Sequence, residues 1–242
     1  MSIEARQITV SGIRVSVVRK AIKNFHLGVY PPHGRVRVAA PLRLTDDAVR
    51  LAVVSRLGWI RRQQAKFLGQ DRQAPREYAP RESHYYLGRR YLLNVISSDA
   101  PPRVDIPNAS TIDLYVWKNA DATQRERVLH EWYRQRLKEM IPPLVEKWES
   151  ITGVGVADWR VKLMKTKWGS CSVKARRIWL NLELVKTPVS CLEYVLVHEI
   201  VHLLERHHNE RFKAHMDKYM PQWHLRRDEL ARGPLGHFEW DY

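Results

Sequence analysis

A chain of 242 residues that is 44% hydrophobic and 10% aromatic is long enough and apolar enough for one good core or two small domains, which excludes a disordered tail. Its 41 Lys and Arg against 26 Asp and Glu leave a net +15, a balance that favours encounter with nucleic acid or another acidic surface. No apolar signal segment follows Met1, no run reaches the ~18 apolar residues of a membrane span, and Cys171 and Cys191 make no disulfide framework, so a reduced, cytoplasmic protein is expected.

From Ile3 to Ala40 the pattern is that of strands: Ile13, Val15 and Val17 alternate with Arg14 and Ser16, and Val36 and Val38 with Arg35 and Arg37. Pro31-Pro32-His33-Gly34 marks a turn between two of them. Thr45 before Asp46-Asp47 predicts an N-cap opening one helix to about Phe67, with Val49, Ala52, Val53, Leu57 and Ile60 inward and Arg50, Arg56, Arg61, Arg62 and Lys66 outward. Gly69, Pro75 and Pro80 predict an exposed connection over 69–83. A hairpin turning near Gly88 and a strand from Thr111 to Trp117 follow.

Asp121 and Gln124 have capping-box spacing, and Val128, Leu129, Trp132, Tyr133, Leu137, Met140 and Ile141 form a helical stripe that Pro142-Pro143 should kink or split. Asp158 to Lys165 resumes a strand pattern, and Trp168-Gly169-Ser170-Cys171 with Ile178-Trp179-Leu180-Asn181 predicts a second hairpin. A helix follows, capped either by Thr187 with Pro188 at its first position or by Ser190 with Glu193. Pro221 starts a last segment that Arg232-Gly233-Pro234 should end. The reading is α+β, with a β-rich part over 1–117, a mainly helical part over 118–232 and a tail over 233–242.

The helix from Leu192 to Leu204 is apolar on every side, and so reads as buried, yet it carries His198, Glu199 and His202. Buried polar groups need partners. Residues four apart share a helix face, so His198 and His202 can hold one ion, with Glu199 placed to take a proton from water on that ion. A catalytic zinc generally takes three protein ligands, which leaves Glu205, His207 and His208 as candidates for the third.

The chain here resembles the YgjP-like metallopeptidases, the DUF45 family, which are related to SprT-like proteases. The matching residues are Lys167-Trp168-Gly169-Ser170-Cys171, Leu180-Asn181, Glu193-Tyr194-Val195, His198-Glu199-Ile200-Val201-His202-Leu203, and His208-Asn209 with Phe212. Weaker similarity at Trp59-Ile60 and Tyr86-Leu87-Gly88 extends it over nearly the whole chain. The resemblance implies a zincin-like core and a zinc peptidase with His208 as third ligand and Glu199 as general base. That histidine position suits a helix that stops near Arg206, with Asn209 capping the next.

Trp168, Gly169, Trp179 and Asn181 are the expected substrate-binding residues, with a peptide added as an extra strand along Arg177 to Asn181. Cys171 lacks a paired base and reads as a small core side chain. Two other functions compete: a metal hydrolase of a non-peptide amide, and a nucleic-acid-associated protein that uses its basic surface to reach DNA or DNA-bound proteins. The basic pairs Arg61-Arg62, Arg89-Arg90, Arg176-Arg177 and Arg226-Arg227 are widely spaced, so that charge reads as scattered.

Overall fold

A computed structural model describes residues 5–30, 34–69, 76–164 and 167–232, which leaves the expected turn at 31–33 and the tail at 233–242 outside the described residues. The chain divides into two compact units, 1–72 and 73–242.

In the first unit, strands β1 (Ala5–Val10), β2 (Ile13–Lys20), β3 (His26–Tyr30) and β4 (Arg35–Pro41) form a sheet in the order β1-β2-β4-β3, whose central pair is parallel. Ser11 and Gly12, at φ 47° and 81°, supply the two left-handed residues of a tight hairpin turn between β1 and β2. Strand alternation then puts Val15, Val17, Val36 and Val38 on one face, where they meet Val49 and Val53 of helix α1 (Asp46–Val54) and Ile60 of α2 (Leu57–Gly69). Thr45 caps α1 as expected, accepting from the Ala48 amide. The single helix expected to Phe67 is instead two. At the break the Ser55 hydroxyl donates to the Ala52 carbonyl, and the Arg56 amide bonds back only three residues to Val53, which tightens the last turn.

The second unit opens with the same arrangement. Strands β5 (Ser83–Tyr86), β6 (Arg89–Ser97), β7 (Arg103–Asp105) and β8 (Thr111–Val116) run β5-β6-β8-β7, again with a parallel central pair. Its first hairpin turns on Leu87 and Gly88 at φ 48° and 79°, and its last strand again leads to a capped helix, α3 (Ala122–Thr152), where Asp121 and Gln124 form the expected capping box. A module of four strands and a helical segment thus occurs twice. Pro142-Pro143 does not split α3, which stays helical across both; the prolines are exposed, so the carbonyls they leave unbonded can turn to water.

Beyond α3 come β9 (Asp158–Lys162), β10 (Gly169–Ser172), β11 (Arg177–Asn181), a 3-10 turn (Leu182–Lys186), and helices α4 (Val189–Val201), α5 (Glu210–Tyr219) and α6 (Trp223–Arg232). One core joins Leu93, Ile112 and Leu114 of the β5–β8 sheet to Leu129, Tyr133, Leu137 and Ile141 of α3 and to α4. The boundary expected at residue 117 therefore falls inside this unit, because the β5–β8 sheet buries its apolar face on the helix that follows it. The connection expected to be exposed over 69–83 carries a buried Tyr78, whose hydroxyl donates to Glu126 at 2.9 Å. Sheets and helices are segregated along the chain, an α+β fold.

Candidate metal centre

Helix α4 lies in the middle of the second unit's core, with every residue from Leu192 to Val201 except Glu193 buried. Neither expected cap forms. Pro188 precedes the helix without a side-chain bond, while the Thr187 hydroxyl turns back to the Leu184 carbonyl at 2.8 Å. The helix start is fixed from outside: a side chain on Gly88 would come within 2.8 Å of the Pro188 ring, so that hairpin can lie against it only as glycine. Glu193 accepts from the Trp148 indole at 2.9 Å and Lys147 at 2.6 Å, which ties α4 to α3.

The far end of α4 builds the site. The helix stops at Val201, with His202 as its C-cap, earlier than the expected Arg206. Leu204 is consequently 42% exposed rather than core. The Glu205 carboxylate accepts from the His207 amide at 3.1 Å, and the Asn209 side chain caps α5 through the Phe212 amide at 3.1 Å. Between these two turns His208 faces back onto α4.

His198, His202 and His208 converge, each offering a ring nitrogen within 4.8 Å of the other two. The Nε2 atoms of His198 and His208 are 3.1 Å apart, a distance at which two imidazoles share either a proton or a cation. His202 has Nδ1 3.1 Å from the Glu205 carbonyl, which fixes the proton there and leaves Nε2 as the free donor of a lone pair. Burial holds all three rings neutral: the pKa of His198 lies well below its ordinary value, that of His202 is lowered, and that of His208 falls to about 4. Phe212 lies against all three, 4.8 Å from each ring centroid, and forms an apolar floor.

Glu199 is 3% exposed, and its Oε2 has no hydrogen-bond partner among the described residues. Burial pushes its carboxyl up to about 8, with the Lys167 charge pulling the other way. An orphaned carboxyl beside three neutral imidazoles is a donor set that a divalent ion with bound water would complete, the ion's charge favouring the carboxylate form that can act as base. The carboxyl is held by close packing. A Cβ on Gly169 would sit 2.5 Å from Glu199 Oε1, 2.8 Å from Cγ and 2.9 Å from Cδ. The glycine of the Trp-Gly-Ser-Cys segment thus admits the Glu199 side chain against the β10 backbone.

The other expected substrate residues fare differently. Trp168 is 1% exposed and belongs to the core. Asn181 is fully buried and spent on the fold: it donates to the carbonyls of Met164 at 3.0 Å and Lys167 at 2.7 Å, and accepts from the amides of Met164 and Glu183. Trp179 is half-buried, with Arg160 5.6 Å above its ring. The strand Arg177–Asn181 cannot add a peptide, because β11 is already paired with β10 on one side and β9 on the other. The edge strand beside Glu199 is β10. Burial pushes the Cys171 thiol up to about 12, with the Glu199 charge adding to it, so it stays a thiol. Sequence reasoning missed Phe212 as the floor and Gly169 as the backing of Glu199; the spacing of His208-Asn209 to Phe212 was the signal for the first.

A solved structure described as the metallopeptidase zymogen of Pyrococcus abyssi abylysin aligns with a TM-score of 0.35 and 22% identity, over 37% of this chain and 90% of that one. Among curated proteins no sequence matches. Residues 25–233 match the YgjP-like metallopeptidase domain, and on that match the chain belongs to the YgjP-like metallopeptidase family.

Proposed function

We propose that the chain is a zinc peptidase that hydrolyses peptide bonds with Glu199 as general base and later general acid. The observation that carries this reading is the convergence of His198, His202 and His208 beside a buried carboxylate whose Oε2 is unpartnered. Zinc held by the three imidazoles would polarise the scissile carbonyl and acidify the attacking water. Glu199 takes the proton of that water on its carboxylate and delivers it to the leaving amine nitrogen. Gly169 keeps the carboxylate close to the β10 backbone, and Phe212 shuts water out from beneath the imidazoles. The edge of β10 that pairs with no strand among the described residues supports binding of an extended peptide there rather than along β11. Among the described residues no helix is long and apolar enough to cross a membrane. The two free thiols, Cys171 and Cys191, support assignment to the reducing cytoplasm.

The test pairs zinc content with turnover. Wild type should carry one equivalent of zinc and cleave members of a peptide library; His208→Ala should lose the metal, and Glu199→Gln should keep it while losing cleavage. A His208→Ala protein with full zinc, or a Glu199→Gln protein with unchanged turnover, would overturn the assignment of those residues.

A further inference from the structure

The positive charge is concentrated rather than scattered. Residues 1–72 hold 14 Lys and Arg against 4 Asp and Glu, which is +10 of the chain's +15. Within this unit, strand alternation divides the sheet into a face covered by α1 and α2 and an opposite face that is open at Arg14, Arg35, Arg37 and Tyr30 and closed at Val18, which is 1% exposed. Arg14 of β2 and Arg35 and Arg37 of β4 point to the open face, one residue out of phase with the buried Val15, Val36 and Val38. All three are exposed, and among the described residues none has a carboxylate partner. Asp46 is engaged elsewhere, bonded to Arg6 and Arg19, which follow the parity of the covered face.

The register assembles these residues into two rows. Across one run Thr9, Arg14, Arg35 and Tyr30, with Arg14 paired to Thr9 and Arg35 to Tyr30; across the next run Gln7, Ser16, Arg37 and Gly28. Tyr30 is 43% exposed, and the hydroxyl end of its ring reaches over Gly28, where a Cβ would meet it at 2.8 to 2.9 Å. An exposed aromatic ring thus stands on the same face of the sheet as three guanidinium groups that have no carboxylate partner among the described residues. Every nucleobase has a flat apolar side that stacks on such a ring, and guanidinium forks match phosphate oxygens. In a duplex the bases are stacked on each other and closed to it.

We propose that the open face of the β1–β4 sheet binds single-stranded nucleic acid, with Tyr30 stacking on a base and Arg14, Arg35 and Arg37 pairing phosphates. The test is fluorescence anisotropy of the full chain with labelled oligothymidylate and oligouridylate of about 12 bases and with a duplex of equal length, at several salt concentrations. Single strands should bind, with the two oligonucleotides reporting whether DNA or RNA is preferred. Tyr30→Ala should weaken single-strand binding roughly tenfold at unchanged salt dependence. Replacing the three arginines with Gln should lower the slope of log K against log salt by about 2, at ~0.7 per phosphate contact. Tyr30→Phe should bind as wild type and Tyr30→Leu should not, which tests the ring without touching the charges. A duplex bound as tightly as the single strands and insensitive to Tyr30→Ala would overturn the proposal. So would an equal loss of slope in an Arg61→Gln, Arg62→Gln variant on α2, which would mean diffuse attraction. Glu199→Gln should bind like wild type, so the result stands apart from the peptidase reading.

Discussion

Replacing Gly169 with Ala adds one methyl group at the place where the Glu199 carboxyl rests. The added carbon would lie 2.5 Å from Oε1, whereas ordinary contact begins near 3.4 Å, so the carboxyl must retreat by roughly 0.9 Å. It cannot do so by swinging only its tip, because Cγ is also within 2.8 Å and the side chain is almost wholly buried. Gly169 is not among the glycines at positive φ, so its backbone accepts Ala and the whole effect is the collision. Overpacking of this size costs about 1–3 kcal/mol of stability, which leaves most of the protein folded. A base displaced by about 1 Å costs on the order of a hundredfold in rate. The assay is steady-state cleavage of a library-derived peptide, with zinc measured on the same preparations. The expected result is kcat lowered about a hundredfold, KM within about twofold, and zinc retained. In a Glu199→Gln background the same substitution should change kcat no further, since the group it displaces is already disabled. A Gly169→Ala enzyme with wild-type kcat would refute the reasoning, as would one that loses zinc in step with activity.

Asn181→Ala strips donors from two part-buried carbonyls and leaves a void at a fully buried position, and should lower stability by about 2–4 kcal/mol in urea titration while leaving KM unchanged; a raised KM in a stable variant would restore Asn181 to the substrate site. Phe212→Ala opens a void under the three imidazoles and should cost about 3 kcal/mol in the same titration, with zinc surrendered to a weaker chelator than wild type requires. His84 is 1% exposed, and burial depresses its pKa to about 3. The unfolded chain, near pH 6.5, takes up that proton first, so the stability from neutral His84 is present above pH 6.5 and drains away as pH falls towards 3. His84→Phe should flatten the acid limb of a stability-against-pH curve over that window; a limb of unchanged steepness would assign the acid loss to other groups.

How much was legible in the sequence follows from the range of the interactions. The α4 dyad of His198 and His202 with Glu199 is a local pattern, fixed by 3.6-residue periodicity, and both hairpin turns carry a glycine at the required position. The second unit's reach was misjudged because β5–β8 carries a strand pattern of its own, and only packing on α3 shows which core it joins. Asn181 looked like a ligand for substrate because a buried amide and an exposed one are the same letter; its four bonds to loop backbone appear only in three dimensions. The meaning of Gly169 depends on a side chain 30 positions later in the chain, a contact no local spacing reveals. The charge concentration in residues 1–72 was countable from the start, but without a domain boundary there was no interval over which to count it.

The recurrence of the four-strand-and-helix module bears on how the chain can change. In the second copy the hairpin at Leu87 and Gly88 bonds to the carbonyls of Val185 and Lys186, just ahead of the helix that carries His198, Glu199 and His202. A substitution in that turn would disturb the packing at the start of α4. In the first copy the equivalent turn, Ser11 and Gly12, lies over open space, with nothing within 4 Å of a Cβ at Gly12. That turn can therefore change its surface chemistry at no cost in packing, while the valine core keeps the copy folded.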